Sequence, residues 1–190
     1  MTKLKLKFDE LEKLRKLIRT QKGNEYLFLG YAFNLETLKL RDLLAEDALL
    51  GENETYTLTV ILSHYASAKP SPKAGRLIKF KSLPGGQAYE AAFLQRAVQP
   101  IAKVFGADPA ALLEAAKPLR GTSLKHGDAS IEIPALEGVP IVYILWAADE
   151  FSSSATALFD ESAREYLPTE DLAVLAELTT SRLIRAYEKL

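Results

Sequence analysis

The 190-residue chain contains no cysteine, and this absence removes whole classes of chemistry. Disulfide scaffolds, thiolate nucleophiles, zinc knuckles and thiolate-ligated iron–sulfur clusters all require that side chain. Only two histidines are present, His64 and His126, so a metal site built from several histidines of one chain is excluded as well. We therefore expect no iron–sulfur cluster on this chain, and the composition indicates no other particular cofactor.

Long apolar runs and an excess of one charge sign are also lacking. The formal net charge is -1 at pH 7, so there is no overall basic field to hold a nucleic-acid backbone. The longest uncharged run, residues 55–68, is shorter than the roughly 20 apolar residues of a membrane span. The first residues lack the apolar core of a signal peptide. We expect a cytoplasmic protein without a nucleic-acid partner or a membrane span.

What charge there is lies unevenly along the chain. Residues 1–22 carry a net charge of +5, and the remaining residues carry -6. Leu11, Leu14 and Ile18 recur at helical spacing, with the basic residues mainly on the other side. This pattern predicts a basic amphipathic helix over 1–22, followed by a single α+β domain over 23–190. The helix either packs onto that domain or docks onto a membrane surface or an acidic redox partner.

The strands expected in the domain differ in the clarity of their signals. Residues 25–34 are aromatic and apolar and predict one strand, and 35–40 predict a second strand paired with it as a hairpin. Residues 56–68 are compatible with a strand or a helix, and their small residues favour a helix. Alternating apolar residues predict an antiparallel β-meander of three strands over about 129–159, with a central strand apolar on both faces.

Two longer helices complete the expected α+β architecture. Apolar residues at steps of four predict a helix over about 87–105, and Pro100 should kink it. Acidic residues in the first turn and a long apolar stripe predict a C-terminal helix over about 169–189. His64 falls among apolar positions of residues 56–68, and we expect it to be a buried core histidine.

The densest group of aromatic and acidic residues is expected at one end of the meander. The candidate ligand-binding residues are Asp128, Trp146, Asp149, Glu150 and Phe151. Antiparallel pairing brings the start of the first strand to the end of the second, so Asp128 should lie beside Trp146. The group then forms one concave surface for a small ligand or a protein partner, provided that Trp146 is partly exposed.

The same residues support two further interpretations. In one, Asp128, Asp149 and Glu150 bind Mg²⁺, Ca²⁺ or Mn²⁺ and His126 transfers a proton, which makes the chain a divalent-metal-dependent enzyme. In the other, the acids cap loops and remain solvated, since they meet no fixed ligand spacing. The chain contains no complete catalytic constellation, so we predict a non-catalytic binding or accessory module, with the metal-dependent enzyme as the alternative.

An ordered series of short motifs resembles a known family. The motifs are Leu83-Pro-Gly-Gly-Gln-Ala-Tyr-Glu-Ala-Ala-Phe93, Phe105-Gly106, Gly127-Asp128, Val139-Pro140, Trp146, Asp149-Glu-Phe151, Leu158-Phe-Asp160 and Tyr166-Leu167. Over about residues 56–190 the chain is similar to domain-of-unknown-function family 3786, whose members are typical of anaerobic bacteria and archaea. The resemblance implies an accessory role in anaerobic redox or cofactor metabolism and no established activity. Some members carry a fused iron–sulfur domain, whose cluster a chain without cysteine cannot bind.

Overall fold

The computed structural model describes residues 2–18, 24–46, 48–149 and 152–190. Over these residues the chain forms two antiparallel sheets with helices packed on them, which confirms the predicted α+β class. The strands are β1 (Thr2–Lys3), β2 (Glu25–Phe28), β3 (Tyr31–Asn34), β4 (Lys39–Asp42), β5 (Leu77–Lys79), β6 (Thr122–Ser123), β7 (Ala129–Leu136), β8 (Val139–Trp146) and β9 (Ser154–Asp160). The helices are α1 (Phe8–Leu17), α2 (Glu52–Tyr65), α3 (Gly86–Phe93), α4 (Gln99–Phe105), α5 (Pro109–Ala116) and α6 (Thr169–Tyr187).

The larger sheet contains the predicted meander. Its strand order is β5-β9-β8-β7-β6, and each of the four neighbouring pairs is antiparallel. The central strand β8 is buried along its whole length except at Trp146, as its continuous apolar sequence predicts. Gly138 forms the tight β7–β8 turn with φ of 77°, and a Cβ there would lie 2.5 Å from the Tyr166 ring. The meander prediction over about 129–159 is confirmed.

The smaller sheet corrects one prediction. Residues 25–34 form two strands rather than one, because the chain reverses at Leu29 and Gly30, both with positive φ. The partner expected over 35–40 pairs as β4, slightly later in the chain than predicted, and the order is β1-β4-β3-β2. Leu29 is fully buried and is not a typical turn residue, so local sequence gives little indication of this reversal.

The kinked helix is observed with a defined break. Helices α3 and α4 are joined by a π-helical segment over Leu94–Val98. Pro100 lacks the N–H that a regular helix uses to bond the carbonyl four residues earlier. Within the π-helical segment, the Ala97 carbonyl accepts the buried hydroxyl of Thr180, at 2.6 Å. The C-terminal helix runs over Thr169–Tyr187, close to the predicted 169–189.

The N-terminal half adds two helices to the same core. Helix α2 confirms the preference for a helix over a strand at residues 56–68. Of the helix expected over 1–22, the structure shows Phe8–Leu17 as helix and Thr2–Lys3 as a strand paired with β4, while residue 1 and residues 19–22 lie outside the described residues. Leu11, Leu14 and Ile18 join one hydrophobic core cluster with residues of both sheets. None of the helices in the described part of the chain combines the length and apolar character that a membrane crossing requires.

Candidate functional site

The sheet topology brings Asp128 to the end of the central strand, as predicted. Ala129 pairs with Leu145, and the Asp128 N–H donates to the Leu145 carbonyl at 2.9 Å. The Asp128 carboxylate accepts the Ala147 N–H at 2.7 Å. One carboxylate oxygen of Asp128 therefore caps the backbone where β8 ends. This is the loop-capping role that the sequence offered as one interpretation of this residue.

Trp146 is the last residue of β8 and is 43% exposed. The loop that follows is attached to the α4–α5 corner, because the Ala148 N–H donates to the Gly106 carbonyl at 3.3 Å. The Ser153 hydroxyl donates to the Ala102 carbonyl at 3.0 Å on the same corner. Asp149 is exposed in this loop. Glu150 and Phe151 lie outside the described residues, and the structure describes the other three members of the predicted group, Asp128, Trp146 and Asp149.

The described acids and histidines at this sheet end do not assemble a metal site. His126 is exposed, and its backbone N–H donates to the Ser130 hydroxyl at 2.9 Å. Over the described ranges, no three carboxylate or imidazole side chains converge on a point where they could share a metal ion. The metal-dependent enzyme remains a prediction, because one of its ligands, Glu150, is outside those ranges.

His64 is not a core residue, which corrects the expectation from its position in the sequence. Its side chain is 52% exposed, and Nδ1 lies 2.6 Å from a carboxylate oxygen of Asp171. The buried side of α2 is formed by Leu58, Ile61, Leu62 and Tyr65. His64 falls outside that stripe and connects the last turn of α2 to the first turn of α6.

Residues of the first turns of α2 and residues along α6 line a large cavity. The cavity, here named the α2–α6 groove, has a volume of about 960 Å³. It is lined by Asn53, Glu54, Thr57, Val174, Glu177, Leu178, Ser181, Arg182, Ile184, Arg185, Glu188 and Lys189. A cleft of this size falls within the range of known ligand sites.

A buried ion pair forms the base of the α2–α6 groove. The guanidinium of Arg182 donates to both carboxylate oxygens of Asp42, at 2.6 and 2.9 Å. It also donates to the carbonyls of Leu29 and Gly30, at 2.9 and 3.1 Å, and lies 4.0 Å from the centre of the Tyr31 ring. This side chain therefore holds the β2–β3 turn, β4 and α6 together.

Hydrogen bonds offset the cost of burying charge at the bottom of the groove. Burial alone raises the pKa of Asp42, but the hydrogen bonds and the positive charge of Arg182 outweigh it, and the pKa is lowered. Arg185 adds a second cation, 3.4 Å from Asp42, and its side chain is 40% exposed. The Tyr31 hydroxyl donates to the carboxylate of Glu54, and burial raises the pKa of Tyr31.

This arrangement leaves specific groups available at the wall of the groove. Arg182 is committed to protein acceptors, whereas Arg185 makes its ion pair with Asp42 through one terminal nitrogen and is partly exposed. Glu54 is partly exposed and carries negative charge on the opposite helix. Val174 and Leu178 add apolar surface between the charged groups. The groove can thus contact apolar, cationic and anionic groups at the same time.

Sequence reasoning missed Arg182 and Asp42. The signal was the position of Arg182 within the apolar stripe of α6, at helical spacing from Leu175, Thr179 and Ala186. An arginine in such a stripe requires a buried partner, because an unpaired charge is costly in a core. The partner lies 140 residues earlier in the chain, and no local pattern identifies it.

Comparison with protein families gives one match. The model of the family described as a domain of unknown function (DUF3786) matches residues 25–182. The match begins earlier than the resemblance over 56–190 and so includes the hairpin β2–β3 and Asp42. No curated protein and no solved structure matches the chain. Because the matched region is more than half of the sequence, the chain belongs to the DUF3786 family of domains of unknown function.

Proposed function

We propose that this protein is a binding module that holds an amphipathic helix of a partner protein in the α2–α6 groove. The observation that carries the proposal is the cavity of about 960 Å³ lined by both α2 and α6, two helices that His64 and Asp171 connect at one end. A groove between helices is a common acceptor for a further helix, which adds its apolar face to those already present.

The length of the groove favours a helical segment over a compact small molecule. Its lining on α6 extends from Val174 to Arg185, and Glu188 and Lys189 continue it just after the helix ends. Eleven residue steps of helix correspond to about 16 Å at a rise of 1.5 Å per residue. A partner helix of about three turns has the same length, whereas a compact small molecule would occupy only part of it.

The mixed lining of the groove also corresponds to an amphipathic helix. Leu178 and Ile184 are half-buried and provide apolar surface. Glu54 lines the groove from α2, Arg185 lines it from α6 and Glu188 follows at the end of that helix, so charges of both signs flank the apolar part. We expect the partner helix to carry apolar residues at spacings of three and four, flanked by basic and acidic residues.

The buried network beneath the groove supports binding by limiting its entropic cost. Arg182 fixes the relative position of α6 and β4 through hydrogen bonds to Asp42. A preformed site loses less conformational freedom when it binds than a mobile one. The proposed role is non-catalytic and accessory. Its placement in anaerobic redox or cofactor metabolism rests on the family resemblance, and a cytoplasmic location rests on composition.

A photo-crosslinker at Ser181 tests the proposal. Ser181 is exposed and lines the groove, so p-benzoylphenylalanine at this position should crosslink a partner protein in cells of the native host. The same residue at Lys103, an exposed position of α4 outside the groove lining, is the control. Mass spectrometry of the crosslink should identify a segment with helical apolar spacing.

A synthetic peptide of that segment should then bind the purified protein and gain helicity. Arg185→Glu should weaken its binding at least tenfold, whereas Lys103→Glu should leave it unchanged. Equal crosslinking at Ser181 and Lys103, or a crosslinked segment that binds without becoming helical, would overturn the proposal.

We propose the sheet end as a second contact surface, and the exposure of Trp146 supports it. Trp146 is the only tryptophan, so its fluorescence reports on this surface alone. A ligand or partner that contacts Asp128, Trp146 and Asp149 should shift or quench that emission. Emission that remains unchanged during binding of the groove peptide would assign the peptide to the groove only.

A further inference from the structure

A second cavity lies on the other side of the exposed ridge of α6. It is enclosed by α3, the π-helical segment and α6, and its volume is about 190 Å³. Val174 and Glu177 line both this cavity and the α2–α6 groove, so they form the ridge between the two. We name it the aromatic pocket, because aromatic side chains form its base.

Stacked aromatic rings close the base of the aromatic pocket. Phe80 and Phe93 stack with their centroids 4.1 Å apart and their planes 7° from parallel. Phe159 lies beneath both, at 6.4 Å from Phe80 and 6.0 Å from Phe93. Tyr89, which is 53% exposed, lines the same pocket. A flat ring entering this space would meet the aromatic side chains of Phe80, Tyr89 and Phe93 in the lining.

Small residues and the π-helical segment keep this space open. Ala92 and Ala173 lie on the two walls, where larger side chains would occupy the pocket. The wall at Ala97 is fixed by the hydrogen bond from Thr180, whose hydroxyl also lies 3.0 Å from the Tyr143 hydroxyl.

The volume indicates what size of group the pocket accepts. A protein cavity of about 150 Å³ lined by aliphatic and aromatic residues is large enough for benzene. A pocket of about 190 Å³ therefore accommodates one six-membered aromatic ring with a short substituent. A fused ring system with its own substituents would exceed it.

Charged residues in the pocket lining indicate which substituent the ring should carry. Glu170, Glu177 and Arg96 all contribute to the lining. Arg96 lies 4.0 Å from Glu177 and partly neutralises it, while Glu170 has no ion-pair partner among the described residues. The net charge of the three is negative, which attracts an ammonium group and repels a carboxylate.

We infer that the aromatic pocket binds a small arylalkylamine: one aromatic ring inserted against Phe80 and Phe93, with its ammonium group beside Glu170. This site is independent of the α2–α6 groove, and its ligand enters from the opposite side of the α6 ridge.

Titration of the full chain with 2-phenylethylammonium tests the inference by nuclear magnetic resonance. The backbone amides of Ala92 and Ala173 should shift, with a Kd of about 1 mM for a ligand of this size. 3-Phenylpropionate, which has a similar shape and the opposite charge, should bind at least fivefold more weakly. Binding of the propionate that is equal or tighter, or an absence of shifts at both alanines, would overturn the inference.

Two neighbouring alanines of α3 give a matched pair of variants. Ala92→Leu fills the pocket and should weaken 2-phenylethylammonium at least tenfold, whereas Ala91→Leu, exposed and outside the pocket lining, should leave the Kd unchanged. Equal effects of the two variants would contradict the assignment.

A variant in the pocket lining tests the charge separately and remains informative if Ala92→Leu does not fold. Glu170→Gln should weaken the ammonium ligand about threefold, as expected for an ion pair at an exposed carboxylate, and leave neutral 3-phenylpropan-1-ol unchanged. Glu114→Gln, on the exposed side of α5, is its control. A Glu170→Gln variant that binds the ammonium as tightly as the natural chain would overturn the role of the charge.

Discussion

Strands β7, β8 and β9 of the larger sheet contain seven or eight residues each, whereas strands β1 to β4 of the smaller sheet contain two to four. Long strands bury enough side chains to specify their own pairing and register. Short strands do not, and a sheet made of them depends on contacts from elsewhere in the chain. The two sheets of this protein therefore differ in how locally their structure is determined.

Each sheet contains one buried aspartate, and the two are stabilised in different ways. Asp160, at the end of β9, accepts hydrogen bonds from the backbone of Ala74, Gly75 and Ser162. Asp42, at the end of β4, accepts one backbone N–H, from Leu44, and otherwise depends on the guanidinium groups of Arg182 and Arg185 from the last helix. The smaller sheet is thus completed by a long-range ion pair, whereas Asp160 of the larger sheet is satisfied by nearby backbone N–H groups and the Ser162 hydroxyl.

Replacement of the central arginine should have the largest effect. Arg182→Met removes the partner of buried Asp42 and of the Leu29 and Gly30 carbonyls, and should lower the free energy of unfolding by about 4 kcal/mol. Arg185→Met, at a 40% exposed side chain, should cost less than about 1 kcal/mol. Urea unfolding of both variants at pH 7 measures the difference. Similar losses for the two would mean that Arg182 does not complete the sheet.

The turn beneath Arg182 offers a matched pair of glycines. Gly30 and Gly85 both have φ of 73°, so Ala at either position should cost about 1 kcal/mol from backbone strain. A Cβ at Gly30 would lie 2.9 Å from Leu44 and 3.0 Å from Arg182, while a Cβ at Gly85 meets no atom within 4 Å. Gly30→Ala should therefore cost about 3 kcal/mol in total, since crowding adds to strain. Equal thermal unfolding temperatures would contradict the tight fit at Gly30.

Two adjacent threonines of α6 test the link between that helix and the π-helical segment. Thr180→Val leaves the buried Ala97 carbonyl without the hydroxyl that now donates to it, and should cost about 2 kcal/mol. Thr179→Val removes only a bond to the Leu175 carbonyl of its own helix and should cost less than about 1 kcal/mol. Urea unfolding of both variants measures the difference. A larger loss of stability for Thr179→Val than for Thr180→Val would contradict the role given to the Thr180 hydroxyl.

The smallest of these expected effects on stability should appear at acidic pH. Burial raises the pKa of Asp160, but its hydrogen bonds from Ser162, Ala74 and Gly75 outweigh this, and the pKa is lowered. An aspartate whose pKa is lower in the folded than in the unfolded chain, where it is about 4, stabilises the fold at pH values above about 4. This stability is lost as the pH falls from about 4 through the folded-state pKa.

Stability should therefore be nearly constant from pH 8 to 5 and decline below about pH 4. Asp160→Asn should reduce the steepness of that decline, by about 1 kcal/mol between pH 4 and 2, because the group that takes up the proton is gone. Urea unfolding over this pH range measures the slope. An unchanged slope would show that Asp160 does not contribute to the acid sensitivity.

Local pattern accounts for most of what could be predicted. The meander over about 129–159 follows from period-two alternation and a strand apolar on both faces. Helix α5 begins at Pro109, which suits the first turn of a helix, and the carboxylate of the preceding Asp108 accepts the Ala110 N–H as an N-cap. The proximity of Asp128 to Trp146 follows from antiparallel pairing alone. These features depend on residues close in sequence, and so composition and spacing contain the necessary information.

The sequence by itself thus determined the α+β class, the meander, the long helices and the place of Trp146 at a strand end. Only the tertiary structure decided the turn at Leu29–Gly30, the ion pair of Arg182 with Asp42 and the exposed position of His64. Their common physical reason is distance along the chain. A buried charge must find its counter-charge wherever the fold brings one, and the two cavities beside α6 exist because helices distant in sequence meet there.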